Sequence, residues 1–94
     1  MHDNNFTPPR PPLSRHAQVQ MQRRSITEAA IELLLDFADC TPSWNGSQRY
    51  RFTKRSWAAA AAFLGADAHL FEKFRNAYVV EGSDGTIITA AWLH

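Results

Sequence analysis

Cysteine is almost missing from this chain, which contains only Cys40. One cysteine cannot form an internal disulfide, so the sequence fits a reducing compartment and we expect a cytoplasmic protein. Long apolar runs are missing too. The alanine-rich run from Ala58 to Leu64 is far shorter than the roughly 18 residues that a membrane span needs, and the polar, proline-rich N-terminus is unlike a secretory signal. We therefore expect no membrane association.

Glycine and histidine are too sparse and scattered to build the common ligand-binding motifs. The four glycines are isolated, so no glycine-rich phosphate loop is present. The four histidines do not pair on one predicted element, and a single cysteine adds little to them. We therefore expect no metal site and no cofactor.

The whole molecule carries little excess charge, because ten lysines and arginines meet nine acids for a formal net charge of +1. Nucleic-acid binding cannot be argued from that total, but the charges are unevenly placed. Arg23 belongs to a basic run near the N-terminus, and a second run without acids holds Arg49, Arg51, Lys54 and Arg55. Folding could gather both runs into one patch, and scattered solvated charge is an equally good interpretation.

With 94 residues the chain has room for one domain with a modest core. Its first residues are rich in proline, which cannot donate backbone hydrogen bonds and favours an extended chain. We expect a flexible proline-rich tail over residues 1–13 and a single domain over residues 14–94.

The stretch from Ser14 to Ile26 is predicted to be a short helix. Ser14 is a good N-cap, because its hydroxyl can accept from a free backbone N–H of the first turn. Apolar residues at i, i+4 spacing make a narrow seam along it: Leu13, Ala17 and Met21. On the neighbouring ridge His16, Gln20 and Arg24 stack one turn apart, at the border between core and solvent. A polar row at that border can reach a cleft.

A second helix and a hairpin follow. Thr27 can cap a helix whose broad apolar face must pack against a sheet or another helix. The pair Asn45-Gly46 signals a turn after a short strand around residues 41–44, which Pro42 restricts to an edge. In the next strand Tyr50 faces inward, while the arginines on either side of it form a basic face.

The second half of the chain is predicted to hold a helix and a closing hairpin. Five alanines after Trp57 favour a third helix, with Ser56 as its cap and Gly65 at its end. The last strand, residues 86–93, is apolar on both faces, which is typical of a central strand. We expect an α+β fold in which N-terminal helices pack on one face of a small antiparallel sheet, with an alanine-rich helical insert before the closing hairpin.

Both ends of the chain resemble a known family. The pattern of His16 followed by alanine, then Met21, Arg24 and Ile26, is similar to the opening of the small bacterial domains of the Domain of Unknown Function 4258 family. The stretch from Ala77 to Trp92, with its Asp-Gly turn, is similar to the closing hairpin of that family. The resemblance implies a fold shared with RelE-, ParE- and BrnT-type toxins, that is, a RelE/barnase-like fold.

The chain also departs from this family. The position that aligns with Gln20 is usually basic there, and a neutral amide lacks the charge that would stabilise a crowded phosphate. The alanine-rich segment is unlike the middle of the family. Both departures fit a domain that has kept the fold and lost or changed the activity.

The resemblance and the residue types together suggest metal-independent RNA cleavage. The imidazole of His16 can act as acid or base, Arg24 can clamp a phosphate, and Thr89 can bind a phosphate oxygen. Each has a structural alternative: His16 can pack at the core edge, Arg24 can pair with Glu28 one turn later, and Thr89 is a natural strand residue.

RNA binding would use a second set of residues. Arg49 and Arg51 can hold the phosphate backbone from the wet face of a strand, with Arg23 as a further cation, and Tyr50 can stack a base. The alternatives are a solvated strand face for the arginines and partial burial for Tyr50 and Trp44.

Three functions stay open. The first is a toxin-like domain that binds RNA and cuts it. The second is a non-catalytic protein-interaction module, such as a phage- or plasmid-borne inhibitor or an accessory subunit, anchored by exposed aromatic residues. The third, a DNA-contacting helix-turn-helix, ranks last because the first two helices leave no exposed reading helix. RNA or a protein is the expected partner, and a homodimer is also open.

Overall fold

Two helices come first, and pairs of strands stand on either side of a third helix, in a computed structural model that describes residues 11–93. Three helices and a four-stranded antiparallel sheet form an α+β fold, as predicted. The main elements are α1 (Arg15–Arg24), α2 (Glu28–Phe37), β1 (Asp39–Pro42), β2 (Gln48–Arg51), α3 (Lys54–Leu64), β3 (Ala77–Glu81) and β4 (Ile87–Trp92). Short helical turns over residues 65–76 connect α3 to β3.

Side-chain caps begin the first two helices, as the sequence predicts. The Ser14 hydroxyl accepts a hydrogen bond of 3.0 Å from the Ala17 N–H, and the Thr27 hydroxyl accepts one of 3.1 Å from the Ala30 N–H. Between the helices the chain turns at Ser25, whose φ of 56° lies in the left-handed region.

The third helix begins earlier than predicted. Thr53, and not Ser56, is its N-cap, and the helix starts at Lys54. Ser56 is the third helical residue and completes a capping box, since its hydroxyl accepts from the Thr53 N–H at 2.9 Å. The helix ends at Gly65, as predicted, where φ is 60°.

The strands lie in the sheet in the order β1-β2-β3-β4. Pro42 therefore does lie on an edge strand, although β1 covers residues 39–42 and not 41–44. Asn45 and Gly46, with φ of 58° and 75°, make the turn that leads into β2. The prediction that β4 is a central strand is wrong, because β4 is the other edge.

The apolar character of β4 has another cause, since α1 and the chain before it cover its outer edge. The Ile87 N–H donates to the Pro12 carbonyl at 2.8 Å, and the Ser14 N–H donates to the Ile87 carbonyl at 2.9 Å. The folded part thus includes Pro12 and Leu13, which we had assigned to the tail. Residues 1–10 of the predicted tail lie outside the described residues.

The two faces of the sheet differ in what covers them. Strand residues of the inner face join the helices in the hydrophobic core: Tyr50, Ala77, Val79, Ile87, Ala90 and Trp92. The outer face carries Asp39, Thr41, Arg49, Arg51, Tyr78, Val80, Thr89 and Ala91. Among these outer-face residues only Ala91 is buried, at 7% exposure, and none belongs to the cluster that packs against the helices.

Candidate nucleic-acid interface

Side chains of α1 form hydrogen bonds with the backbone at the free edge of β4, as a neighbouring strand would. The Ala90 N–H donates to Gln20 Oε1 at 2.9 Å, and Arg24 Nη1 donates to the Ala90 carbonyl at 3.0 Å. The indole of Trp92 also donates to the Arg24 carbonyl at 2.9 Å. Gln20 and Arg24 thereby satisfy backbone groups that an edge strand would otherwise leave open.

The predicted catalytic residues do not share one hollow. His16 is exposed on α1, and the Arg24 guanidinium contacts the edge of β4. Thr89 lies on the outer face and lines a hollow with Trp44, and neither His16 nor Arg24 is among the residues that line it. Cleavage by these three groups stays a prediction, without support from the geometry of residues 11–93.

The two predicted arginines of β2 do lie together on the outer face. The guanidinium carbon of Arg49 lies 4.4 Å from the centre of the Tyr78 ring, within cation–π distance. Arg49 Nε is buried and has no hydrogen-bond partner within the described residues. Arg51 is the next outward residue of β2 and is exposed, and its cross-strand partner on β1 is Asp39.

Arg51 also opens onto a hollow of about 490 Å³ at the far end of the sheet, which we call the basic hollow. Its charged lining consists of Arg51, Lys54, Glu72, Lys73 and Arg75. Arg75 is paired with Glu72 at 3.4 Å, and both side chains are partly exposed, so water weakens that pair. The remaining cations give this end of the sheet an excess of positive charge.

Tyr50 is not placed to stack a base beside these arginines. Its side chain is on the inner face, where its hydroxyl donates to Glu81 Oε1 at 3.0 Å. Partial burial and this hydrogen bond raise the pKa of the Tyr50 hydroxyl well above its usual value. Arg23 is exposed in the last turn of α1 and does not line the basic hollow.

A second hollow lies at the opposite end of the outer face, beside the two hairpin turns. It measures about 410 Å³, and we call it the tryptophan hollow because Trp44, 78% exposed, lines it. Val80, Thr89 and Asp84 are also in its lining. The hydrogen bond from the Thr86 backbone N–H holds the pKa of the Asp84 carboxyl below its usual value, so Asp84 is ionised at neutral pH.

Tyr78, Lys73 and Arg75 were not among the interface residues predicted from the sequence. For Tyr78 a signal existed, because it alternates with the buried Ala77 and Val79 and so must face outward. Lys73 and Arg75 gave no such signal, since they lie in short helical turns whose direction depends on tertiary packing.

No family model matches the chain, and no curated protein or solved structure matches it either. None of the helices within residues 11–93 is long and apolar enough to cross a membrane. The same residues contain no group of three or more His, Cys, Asp or Glu side chains that could hold a metal ion.

Proposed function

We propose that this protein binds single-stranded RNA across the outer face of its sheet and into the basic hollow. One observation carries the proposal. The Arg49 guanidinium lies 4.4 Å from the Tyr78 ring on the face outside the core, and the next outward residue, Arg51, leads into the basic hollow.

Cations beside an aromatic ring suit a single strand. Its phosphates attract Lys and Arg regardless of sequence, while its unstacked bases stack on aromatic rings or guanidinium planes. The Arg49–Tyr78 pair offers such a plane, and Arg51, Lys54 and Lys73 offer charge next to it. Because the net charge of the chain is only +1, attraction would come from this local cluster and not from the molecule as a whole.

The predicted membership of a toxin-like family, a RelE-like fold and a cytoplasmic location are part of this proposal. They agree with RNA as the partner. Metal-independent cleavage has less support than binding. Arg24 is hydrogen-bonded to the Ala90 carbonyl, and Gln20 stands where that family usually has a basic residue. We therefore propose binding as the activity and treat cleavage as a separate question, answered by incubating labelled RNA with the protein in EDTA.

Fluorescence polarisation with a labelled, mixed-sequence single-stranded RNA of about 12 nucleotides tests the proposal. The double variant Arg51→Gln/Lys54→Gln removes two exposed cations of the basic hollow. We expect binding about tenfold weaker and a shallower dependence of log K on log salt, by about 0.7 for each lost phosphate contact.

The matched control is Arg15→Gln/Arg23→Gln, which removes the same charge from the exposed surface of α1. We expect it to bind nearly as tightly as the unaltered protein. Equal losses in both double variants would mean that only total charge matters. Loss in the control alone would place binding on α1. No binding of the unaltered protein at about 50 mM salt would refute RNA binding altogether.

A protein-interaction module is the second candidate. Phe63 and Leu70 are 72% and 58% exposed, unusual values for large apolar side chains. The centre of the Phe63 ring also lies 5.2 Å from that of the Phe37 ring, so these two aromatic side chains adjoin. This candidate predicts that Phe63→Ser abolishes capture of a specific protein while leaving RNA polarisation unchanged.

A further inference from the structure

We infer that the tryptophan hollow is a base-reading pocket that takes an unstacked guanine of the bound strand. This inference rests on the proposed function, and it states which part of the RNA binds at each end of the outer face. Phosphate is bound at the basic hollow and a base is read beside Trp44.

The hollow is built from two turns that touch one another. A Cβ added at Gly46, in the turn before β2, would lie 3.3 Å from the Cβ of Ser83, in the turn before β4. Trp44 comes from the first turn and Asp84 from the second, so a ligand between them contacts both. The side chain of Val80 is also in the lining.

The chemistry of the lining favours a base over a phosphate. Trp44 presents a large, solvent-exposed ring, and the stacking of a base on such a ring is largely independent of sequence. Asp84 is an anion, which repels phosphate. Its Oδ1 accepts from the Thr86 N–H at 3.0 Å, and a carboxylate has about four lone-pair sites with which to accept hydrogen bonds.

Guanine is the base whose hydrogen-bond donors best match the Asp84 carboxylate. Its Watson–Crick edge carries two adjacent N–H donors, N1–H and the N2 amino group, and a carboxylate is an acceptor-only group. Uracil has one such N–H flanked by carbonyl oxygens that an anion repels. Asp84 together with the stacking ring of Trp44 therefore favours guanine over uracil.

The pocket is continuous with the phosphate-binding surface. Arg49 is the cross-strand partner of Val80, and both side chains are on the outer face. Residues directly opposite on antiparallel strands have Cβ atoms about 5 Å apart. Arg49 thus starts beside the pocket, and its guanidinium extends over Tyr78, between the pocket and the basic hollow, where it can meet the phosphate or the neighbouring base of the same strand.

The experiment compares three RNA hexamers that differ at one internal position: six uridines, five uridines with one guanosine, and five uridines with one adenosine. We expect the guanosine hexamer to bind about tenfold more tightly than the other two. In Asp84→Asn, which keeps an acceptor for the Thr86 N–H but adds an amino group, we expect this preference to disappear while uridine binding and its salt dependence persist. In Trp44→Ala all three hexamers should weaken.

A second measurement uses guanosine itself, which carries no phosphate. We expect it to shift the NMR signal of the Trp44 indole N–H, assigned by its loss in Trp44→Phe, and not those of Trp57 and Trp92. If the three hexamers bind equally and Asp84→Asn changes nothing, the base-reading pocket is refuted and the RNA-binding proposal stands. If no hexamer binds, the proposed function fails and the pocket fails with it.

Discussion

Arg24 donates a hydrogen bond of 3.0 Å to the Ala90 carbonyl, across a separation of 66 residues in the chain. The guanidinium that the sequence suggested as a phosphate clamp thus secures α1 to the edge of β4. Its neighbour one turn earlier, Gln20, accepts from the N–H of the same alanine. The backbone N–H and the carbonyl of Ala90 are thus both hydrogen-bonded to side chains of one helix.

Replacing Arg24 by alanine should reduce stability rather than an activity. We expect Arg24→Ala to lower the free energy of unfolding by about 1 kcal/mol, because the Ala90 carbonyl loses its charged donor. Urea denaturation measures this. Arg23→Ala is the control: both arginines are in the last turn and favour the helix dipole equally, so the difference between the variants isolates the Ala90 bond. Equal costs would contradict the structural role.

Replacing Gln20 by lysine should also destabilise the protein, although a basic residue is usual at this position in the family that the chain resembles. Lysine has no acceptor, so the Ala90 N–H would lose its partner at a cost of about 1–2 kcal/mol. Gln20→Glu keeps an acceptor and should cost less. Hydrogen exchange of the Ala90 amide gives a direct measurement, with faster exchange in the lysine variant only. Unchanged exchange there would refute the assignment.

How far the sequence predicts this site depends on how local each signal is. Alternation along β2 correctly placed Arg49 and Arg51 outward and Tyr50 inward, because period-2 geometry is a property of the strand itself. The same alternation places Tyr50 on the opposite face from the arginines, so the prediction that Tyr50 stacks a base beside them was inconsistent with it. The caps Ser14 and Thr27 were local signals too.

Tertiary placement was not predictable in the same way. An apolar last strand looks the same whether a further strand or a helix covers its second side, so the sequence could not tell that α1 covers the edge of β4. The basic hollow likewise joins Arg51 and Lys54 to Lys73 and Arg75, and only the path of the intervening helices brings them together.

Stability should fall as the solution is acidified below about pH 4. Hydrogen bonds from Ser56 and Thr53, and then the charge of Arg55, lower the pKa of Asp39, and the Thr86 N–H lowers that of Asp84. A carboxyl with a lowered folded-state pKa contributes stability above its unfolded value, about 3.9, and loses it as pH falls through the folded value. Melting temperatures between pH 5 and 2 should therefore fall less in Asp39→Asn/Asp84→Asn than in the unaltered protein.

The contact between the two hairpin turns gives a steric prediction. Gly46 has φ of +75°, and an added Cβ would lie 3.3 Å from Ser83 Cβ, whereas Gly85, with φ of +87°, has nothing within 4 Å. Either glycine replaced by alanine costs about 1 kcal/mol for its φ, and Gly46→Ala should cost more. Adding Ser83→Gly should restore only the steric part. Calorimetry of this cycle checks it, and equal costs for Gly46→Ala and Gly85→Ala would deny the contact.

The bonds between residues 12–24 and residues 87–92 tie the start of the described chain to its end. A helix of ten residues is marginal in water without such support. During synthesis α1 leaves the ribosome well before the strand that holds it, so it has no docking partner until β4 has been translated. Any chain that stops before Ile87 should therefore lack not only its last strand but also its first helix.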